Sequence, residues 1–180
     1  MVLSVSTADA WRASPLPAVV VPAVIGADLA AEARASLEAR GYTRYALVDR
    51  GSYDFIDAPQ LPQVVEALVG IASAVTARTL SLTSARALRF GPGDYLLVRG
   101  DRVHDDRPVE VVLDLSVTTV PDTEVHYRHR GQVFFTFPSE PGALAIVERG
   151  PTVMANHTYV SRRHVAASVV RLVVVLQTTP

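Results

Sequence analysis

Apolar positions in the first half of the chain recur at helical spacing. Leu29, Ala33 and Leu37 share one face of a segment that Asp28 can cap and that Gly41 follows, with Glu32, Arg34, Glu38 and Arg40 opposite. A second helix is predicted over about 59–75, where Leu61, Val64, Val65, Leu68, Ile71, Ala72 and Val75 form an apolar stripe and prolines occupy the first turn. Residues 42–48 between them read as a strand. Beyond about residue 80 the period changes, and short β-branched and aromatic runs recur between Gly, Pro and Asp punctuation. These runs predict strands near 85–90, 94–98, 109–115, 124–130, 132–137, 143–147, 152–160 and 169–177. Such antiparallel strands after a helical lead-in predict an α+β, mainly β chain: a jelly roll with N-terminal helices packed on one sheet. With no repeat, low-complexity stretch or linker, the expectation is a single domain over 1–180, with a helical lead-in over 1–80 and a jelly-roll core over 81–180.

Composition narrows the chemistry. The 180 residues are 49% hydrophobic and carry 17 basic against 18 acidic side chains, the profile of a folded globular chain. All the basic residues are Arg, which with much Ala and Val fits a GC-rich bacterial genome. Cys is absent as well as Lys, so thiolate nucleophiles, disulfides, zinc knuckles, iron–sulfur ligation and Schiff-base lysines are excluded together. Any metal must be held by His and carboxylate. No basic run exceeds Arg162-Arg163, so no nucleic-acid partner is expected. The best N-terminal apolar run, 18–25, is broken by Pro22 and far short of the roughly 20 residues that span a bilayer, so no membrane partner and a cytoplasmic location are expected.

The five histidines, His104, His126, His129, His157 and His164, all lie in the strand-rich half. His104 and Asp106, two apart at a strand end, project from the same side, and a second His from a distant strand completes a facial triad that leaves cis positions open on Fe(II). His157 meets that need; His164, only seven positions before Arg171 and in a turn-like stretch, is the other candidate. His126 and His129 read mainly as an exposed hairpin arm, and Phe134, Phe135 and Phe137 as core. Arg171 stands inside Val169-Val170-Arg171-Leu172-Val173-Val174-Val175-Leu176, a run that otherwise predicts a strand buried on both faces. A guanidinium buried there needs an anion, supplied either by Asp94, Asp114 or Glu124 or by a ligand such as a dicarboxylate. There is no Gly-x-Ser-x-Gly elbow and no phosphate-binding glycine loop, since Gly91-Pro92-Gly93 precedes a strand.

Phe90-Gly91-Pro92-Gly93-Asp94-Tyr95-Leu96-Leu97, His104-Asp105-Asp106, Pro141-Gly142-Ala143-Leu144, His157 and Arg171 together resemble the Fe(II)/2-oxoglutarate oxygenases of the prolyl-hydroxylase-like type over about residues 85–177. The resemblance implies a double-stranded β-helix with His104, Asp106 and His157 as iron ligands. It also implies Arg171 as the anchor of 2-oxoglutarate and Tyr95 as a hydrogen-bond donor to the same carboxylate. The implied reaction is a 2-oxoglutarate-dependent dioxygenase's hydroxylation of a C–H bond, with dioxygen consumed and no catalytic residue beyond the metal ligands. The compact chain leaves room for a small metabolite held with a homodimer partner's help, or for a peptide-like substrate across an open site. In the family's register from Tyr95 the first ligand falls at Val98 or Arg99, and Arg99-Gly100-Asp101 stands there. A non-catalytic jelly-roll binding module with a degenerate metal site, and a cupin-type metalloenzyme that ignores 2-oxoglutarate, are therefore the alternative readings.

Overall fold

A computed structural model describes residues 5–97 and 107–179. Three helices, α1 (Val5–Ala13), α2 (Ala27–Arg40) and α3 (Pro62–Thr76), accompany eleven strands among the described residues. These are β1 (Ala18–Val21), β2 (Thr43–Leu47), β3 (Gly51–Asp57), β4 (Leu80–Phe90), β5 (Tyr95–Leu96), β6 (Val109–Asp114), β7 (Glu124–His129), β8 (Gln132–Pro138), β9 (Leu144–Glu148), β10 (Val153–His157) and β11 (Val169–Thr178).

All pairings are antiparallel, in the order β1-β9-β6-β11-β4-β3-β5-β10-β7-β8, with β2 on β3. From β4 onward the chain crosses back and forth between two walls, β4, β6, β9 and β11 on one and β5, β7, β8 and β10 on the other, with β7 and β8 a hairpin within the second. That crossing pattern is the double-stranded β-helix. Alternation within each strand then separates two cores. On the outer face of the first wall, Val170, Leu172, Val174 and Leu176 of β11 join Val111, Leu113, Leu144 and Ile146 beneath Leu37 of α2 and Leu68 and Val75 of α3. Between the walls, Val112, Ala145 and Val147 meet Val125, Tyr127, Phe137 and Val153 from the other side. β11 is apolar along both faces because it is central, which is why Arg171 stands out in it.

The walls are joined through β3. Asp54–Asp57 of that strand pair with Arg89–Arg86 of β4, while Gly51 and Ser52 pair with Leu96 and Tyr95 of β5. Gly51 is required where it stands: at φ +135° a Cβ would lie 2.3 Å from the Tyr95 carbonyl oxygen.

The first 80 residues hold more strand than the one predicted over 42–48, which is β2. They hold β1, β2 and β3 as well as the helices, and α1 begins earlier than any predicted element. β1 is only four residues between prolines, and β3 carries Asp54 and Asp57, so neither shows a clean apolar alternation. The helix ends also shift: Gly26 rather than Asp28 occupies the N-cap of α2, and α3 starts at Pro62 after Leu61. In the second half the eight predicted strands correspond to β4 through β11, with β4 extended back to Leu80 and β5 cut to two residues.

Candidate functional site

The two walls enclose a cavity of about 240 Å3 lined by side chains from both. Leu88, Val173 and Val175 come from the first wall, and Leu96, Ala155 and His157 from the second. Tyr53 of β3 lies beside them. Ser84, Arg86, Glu110 and Arg149 give the cavity a polar end. There the Tyr127 hydroxyl donates to Glu110 Oε1 at 2.8 Å and Arg149 Nη1 donates to Glu110 Oε2. Burial, and then the neighbouring Glu110 charge, raise the Tyr127 phenol well above its ordinary value, so it stays protonated as that donor.

His157 ends β10, opposite Val125 of β7 and Leu96 of β5. Its ring is buried and stacks on Phe90 with centroids 4.8 Å apart and planes 21° from parallel. Arg171, two registers inside β11, sends its guanidinium across the barrel to that ring: Nη1 lies 2.8 Å from His157 Nδ1, and Nη2 donates to the Thr123 carbonyl at 3.2 Å. Arg171 is 0% exposed. Burial pulls its pKa down to about 10, against the opposing fields of Asp114, Tyr127 and Glu124, so it is still a cation at neutral pH.

None of the three carboxylates considered as its partner takes it. Asp94 accepts from Arg44, the Ser52 hydroxyl and the Gly91 N–H. Asp114, although cross-strand from Arg171, is turned to the backbone N–H groups of Ser116 and Glu140 at 2.7 Å each. Glu124 pairs with His126 at 2.6 Å. Among the described residues Arg171 thus forms no ion pair, and its Nε–H has no acceptor. A buried guanidinium with an unmet donor is a standing demand for an anion.

Of the residues singled out from sequence, His157 and Arg171 are brought together, while His104 and Asp106, with Arg99 and Asp101, lie outside the described residues. Tyr95 is not brought to the cavity. Its neighbour Leu96 lines it, so strand alternation turns Tyr95 to the other face, where its ring lies 6.5 Å from that of Tyr159. His126 and His129 are half-buried on β7 beside Glu124 and Thr152, and His164 lies in the turn before β11. Among the described residues no three His, Asp or Glu side chains gather at metal-binding spacing. Sequence reasoning passed over Tyr53, Arg86, Glu110 and Arg149. Glu110 carries the same signal as Arg171, a charge inside an apolar strand, and that signal was readable in Val109-Glu110-Val111-Val112-Leu113.

The residues fit the groups that the resemblance implies on one condition. The unpartnered Nε of Arg171 suits a carboxylate, and an imidazole is a ligand suited to Fe(II). A ligating His, however, ordinarily donates its other ring N–H to an acceptor, whereas His157 Nδ1 faces a group that can only donate. The condition is that Arg171 moves off Nδ1.

No family model matches the chain, and no curated protein matches it in sequence. Solved structures do match it in shape. It superposes on the non-haem alpha-ketoglutarate-dependent carbocyclase SnoK of nogalamycin biosynthesis with TM-score 0.75 at 15% identity, covering 98% of this chain and 84% of that one. A Pseudomonas putida prolyl-4-hydroxylase matches with TM-score 0.69 at 16% identity over 96% and 99% of the two chains. HygX from Streptomyces hygroscopicus, solved with nickel and 2-oxoglutarate bound, matches with TM-score 0.67 at 11% identity over 99% and 88%. Over essentially its whole length, the chain has the double-stranded β-helix fold of the 2-oxoglutarate–Fe(II) oxygenases.

Proposed function

We propose that this chain is a non-haem Fe(II)- and 2-oxoglutarate-dependent dioxygenase that hydroxylates a C–H bond of a small metabolite or peptide-like substrate. The observation that carries the reading is the Arg171 guanidinium, fully buried inside this fold, beside a histidine, with no carboxylate of its own among the described residues. Arg171 would pair with the far carboxylate of 2-oxoglutarate, and His157 would hold the metal together with His104 and Asp106. Bound iron would supply the oxidation, using dioxygen and converting 2-oxoglutarate to succinate and carbon dioxide. The chain's own part is positional. Leu88, Leu96, Val173 and Val175 give the cavity an apolar lining against which a substrate would be oriented, and the Ser84 hydroxyl stands at its polar end.

The test is an anaerobic titration of Fe(II) and then 2-oxoglutarate into the purified protein, reading the visible charge-transfer band of a chelated keto acid. A saturable band that fades when oxygen is admitted is the expected result. Absence of the band with iron bound, or no iron bound at all, overturns the reading. His157→Ala should abolish iron binding, and Arg171→Ala should retain iron and weaken 2-oxoglutarate.

One observation favours a second reading, a non-catalytic barrel that binds a carboxylate. His157 is stacked on Phe90 and its Nδ1 is hydrogen-bonded to Arg171, contacts that seat the imidazole without a metal. In that case an acid would bind through Arg171 while Mn(II) and Ni(II) surrogates would not bind.

A further inference from the structure

We infer that Arg171 is a latch on His157, so that metal binding and carboxylate binding at this site promote each other even when the acid cannot touch the metal. The inference rests on the oxygenase reading above and adds a regulatory contact to it.

The geometry is that of a closed latch. The guanidinium carries donors only, so the Nδ1 lone pair of His157 must point at Nη1 across the 2.8 Å contact, and the ring proton of the neutral imidazole must sit on Nε2. Neither nitrogen is then ready for a metal. Ligation through Nε2 sends its proton to Nδ1, where it would meet the Arg171 N–H head on. Ligation through Nδ1 needs the place that Nη1 holds. Either way Arg171 must leave. Arg171 shares its face of β11 with Val173 and Val175, and these, its cross-strand neighbour Leu88 and its contact His157 all line the cavity, so the guanidinium has only a short way to travel to reach it.

Opening the latch strands a second donor. Nε already lacks an acceptor, and Nη1 would join it inside a fully buried guanidinium. A carboxylate offers two oxygens to such a pair of N–H groups in matching geometry. An acid that draws Arg171 toward the cavity therefore frees His157, and a metal on His157 frees Arg171 for the acid. By linkage the two effects are equal in size.

The experiment separates this coupling from ordinary chelation by using glutarate, which has both carboxylates of 2-oxoglutarate but no keto oxygen for bidentate chelation. Mn(II) binding to the purified full chain is measured by calorimetry, with and without saturating glutarate, for wild type and Arg171→Met. Loss of one charge-assisted hydrogen bond sets the expected scale: glutarate should tighten Mn(II) binding to wild type about tenfold or more. Arg171→Met should bind Mn(II) without glutarate about as tightly as wild type does with it, and should not respond to the acid. Should Arg171→Met fold poorly, the glutarate response of wild type decides alone, with the ring 15N shifts of His157 reporting whether glutarate releases Nδ1. Mn(II) bound by wild type with the same affinity in both conditions overturns the latch while leaving the oxygenase reading standing. No Mn(II) bound by either protein in any condition overturns both.

Discussion

Replacing Arg171 by Met probes the fold and the site at once, because its two energetic consequences oppose each other. Burial lowers the guanidinium's pKa to about 10. At about 1.4 kcal/mol per unit, holding the charge in the folded state costs about 3 kcal/mol. The sign follows from linkage: a cation with a depressed folded pKa destabilises the fold at every pH below that value, and the cost is relieved as pH rises through about 10. Met fills similar space without the charge and removes this cost. It also leaves the Thr123 carbonyl and His157 Nδ1 without the donors they have now, at about 1–3 kcal/mol each. The terms nearly cancel, so the variant should lie within about 2 kcal/mol of wild type, or within about 8 °C in Tm for a chain of this size. Had Arg171 been half of a closed ion pair, its removal would cost about 3–5 kcal/mol. The assay is urea denaturation and thermal melting with and without 2-oxoglutarate. At a hundred times its Kd the acid should stabilise wild type by about 2.7 kcal/mol, about 5–10 °C in Tm, and leave the variant unmoved. Destabilisation beyond about 4 kcal/mol, or equal stabilisation of both proteins by the acid, would refute the reasoning.

Three further outcomes test other parts of the structure. Burial pushes the Asp94 pKa up, but its bonds from Arg44, Ser52 and the Gly91 N–H outweigh that and hold it below the usual carboxylate range. Its contribution is therefore complete above about pH 4 and is lost as pH falls through the lowered value, so Asp94→Asn should cost about 1–3 kcal/mol at neutral pH and flatten the acid limb of a stability–pH curve. Gly51→Ala drives a Cβ into the Tyr95 carbonyl oxygen at a positive φ, and should lower stability by more than about 2 kcal/mol in urea titration by prising β5 from β3. Tyr127→Phe removes one of the donors on Glu110 and should cost about 1–2 kcal/mol, while leaving the tyrosinate absorbance titration below pH 10 superimposable on wild type, since Tyr127 does not ionise there.

How much of this was legible in the sequence depends on whether a signal lies within one segment or between segments. β11 and β6 were readable because a central strand is apolar on both faces, and the charges in them, Arg171, Glu110 and Asp114, are conspicuous for the same reason. β3 was not readable. Its Asp54 and Asp57 look like loop residues until Arg44, Arg86 and Arg89 arrive from neighbouring strands to pair with them, and those partners lie far away in sequence. Tyr95 shows how narrow the margin is. The resemblance placed an aromatic at the site, but the side-chain period in a strand is two, so Leu96 faces the cavity and Tyr95 faces Tyr159. The sequence likewise left two sources open for the anion of Arg171, a protein carboxylate or a ligand. All three carboxylates proposed for it do lie in the neighbourhood of the barrel, yet each is committed elsewhere, and only the hydrogen-bond inventory reveals it.

That inventory is what gives the buried arginine its weight. A fold of this size has only a narrow stability margin, and a methionine in the same place would spare it the desolvation of a cation. Asp114 sits directly cross-strand and could close an ion pair if it were not bound to the backbone N–H groups of Ser116, just after β6, and Glu140, in the turn before β9. Asp114 is thus committed to backbone, and the guanidinium is left half-satisfied against an imidazole that lines the cavity. Both functional readings inherit this arrangement and both require an anion there. They part only at His157: in an oxygenase the arriving acid would release it to a metal, and in a binding barrel it would remain the stacked neighbour of Phe90.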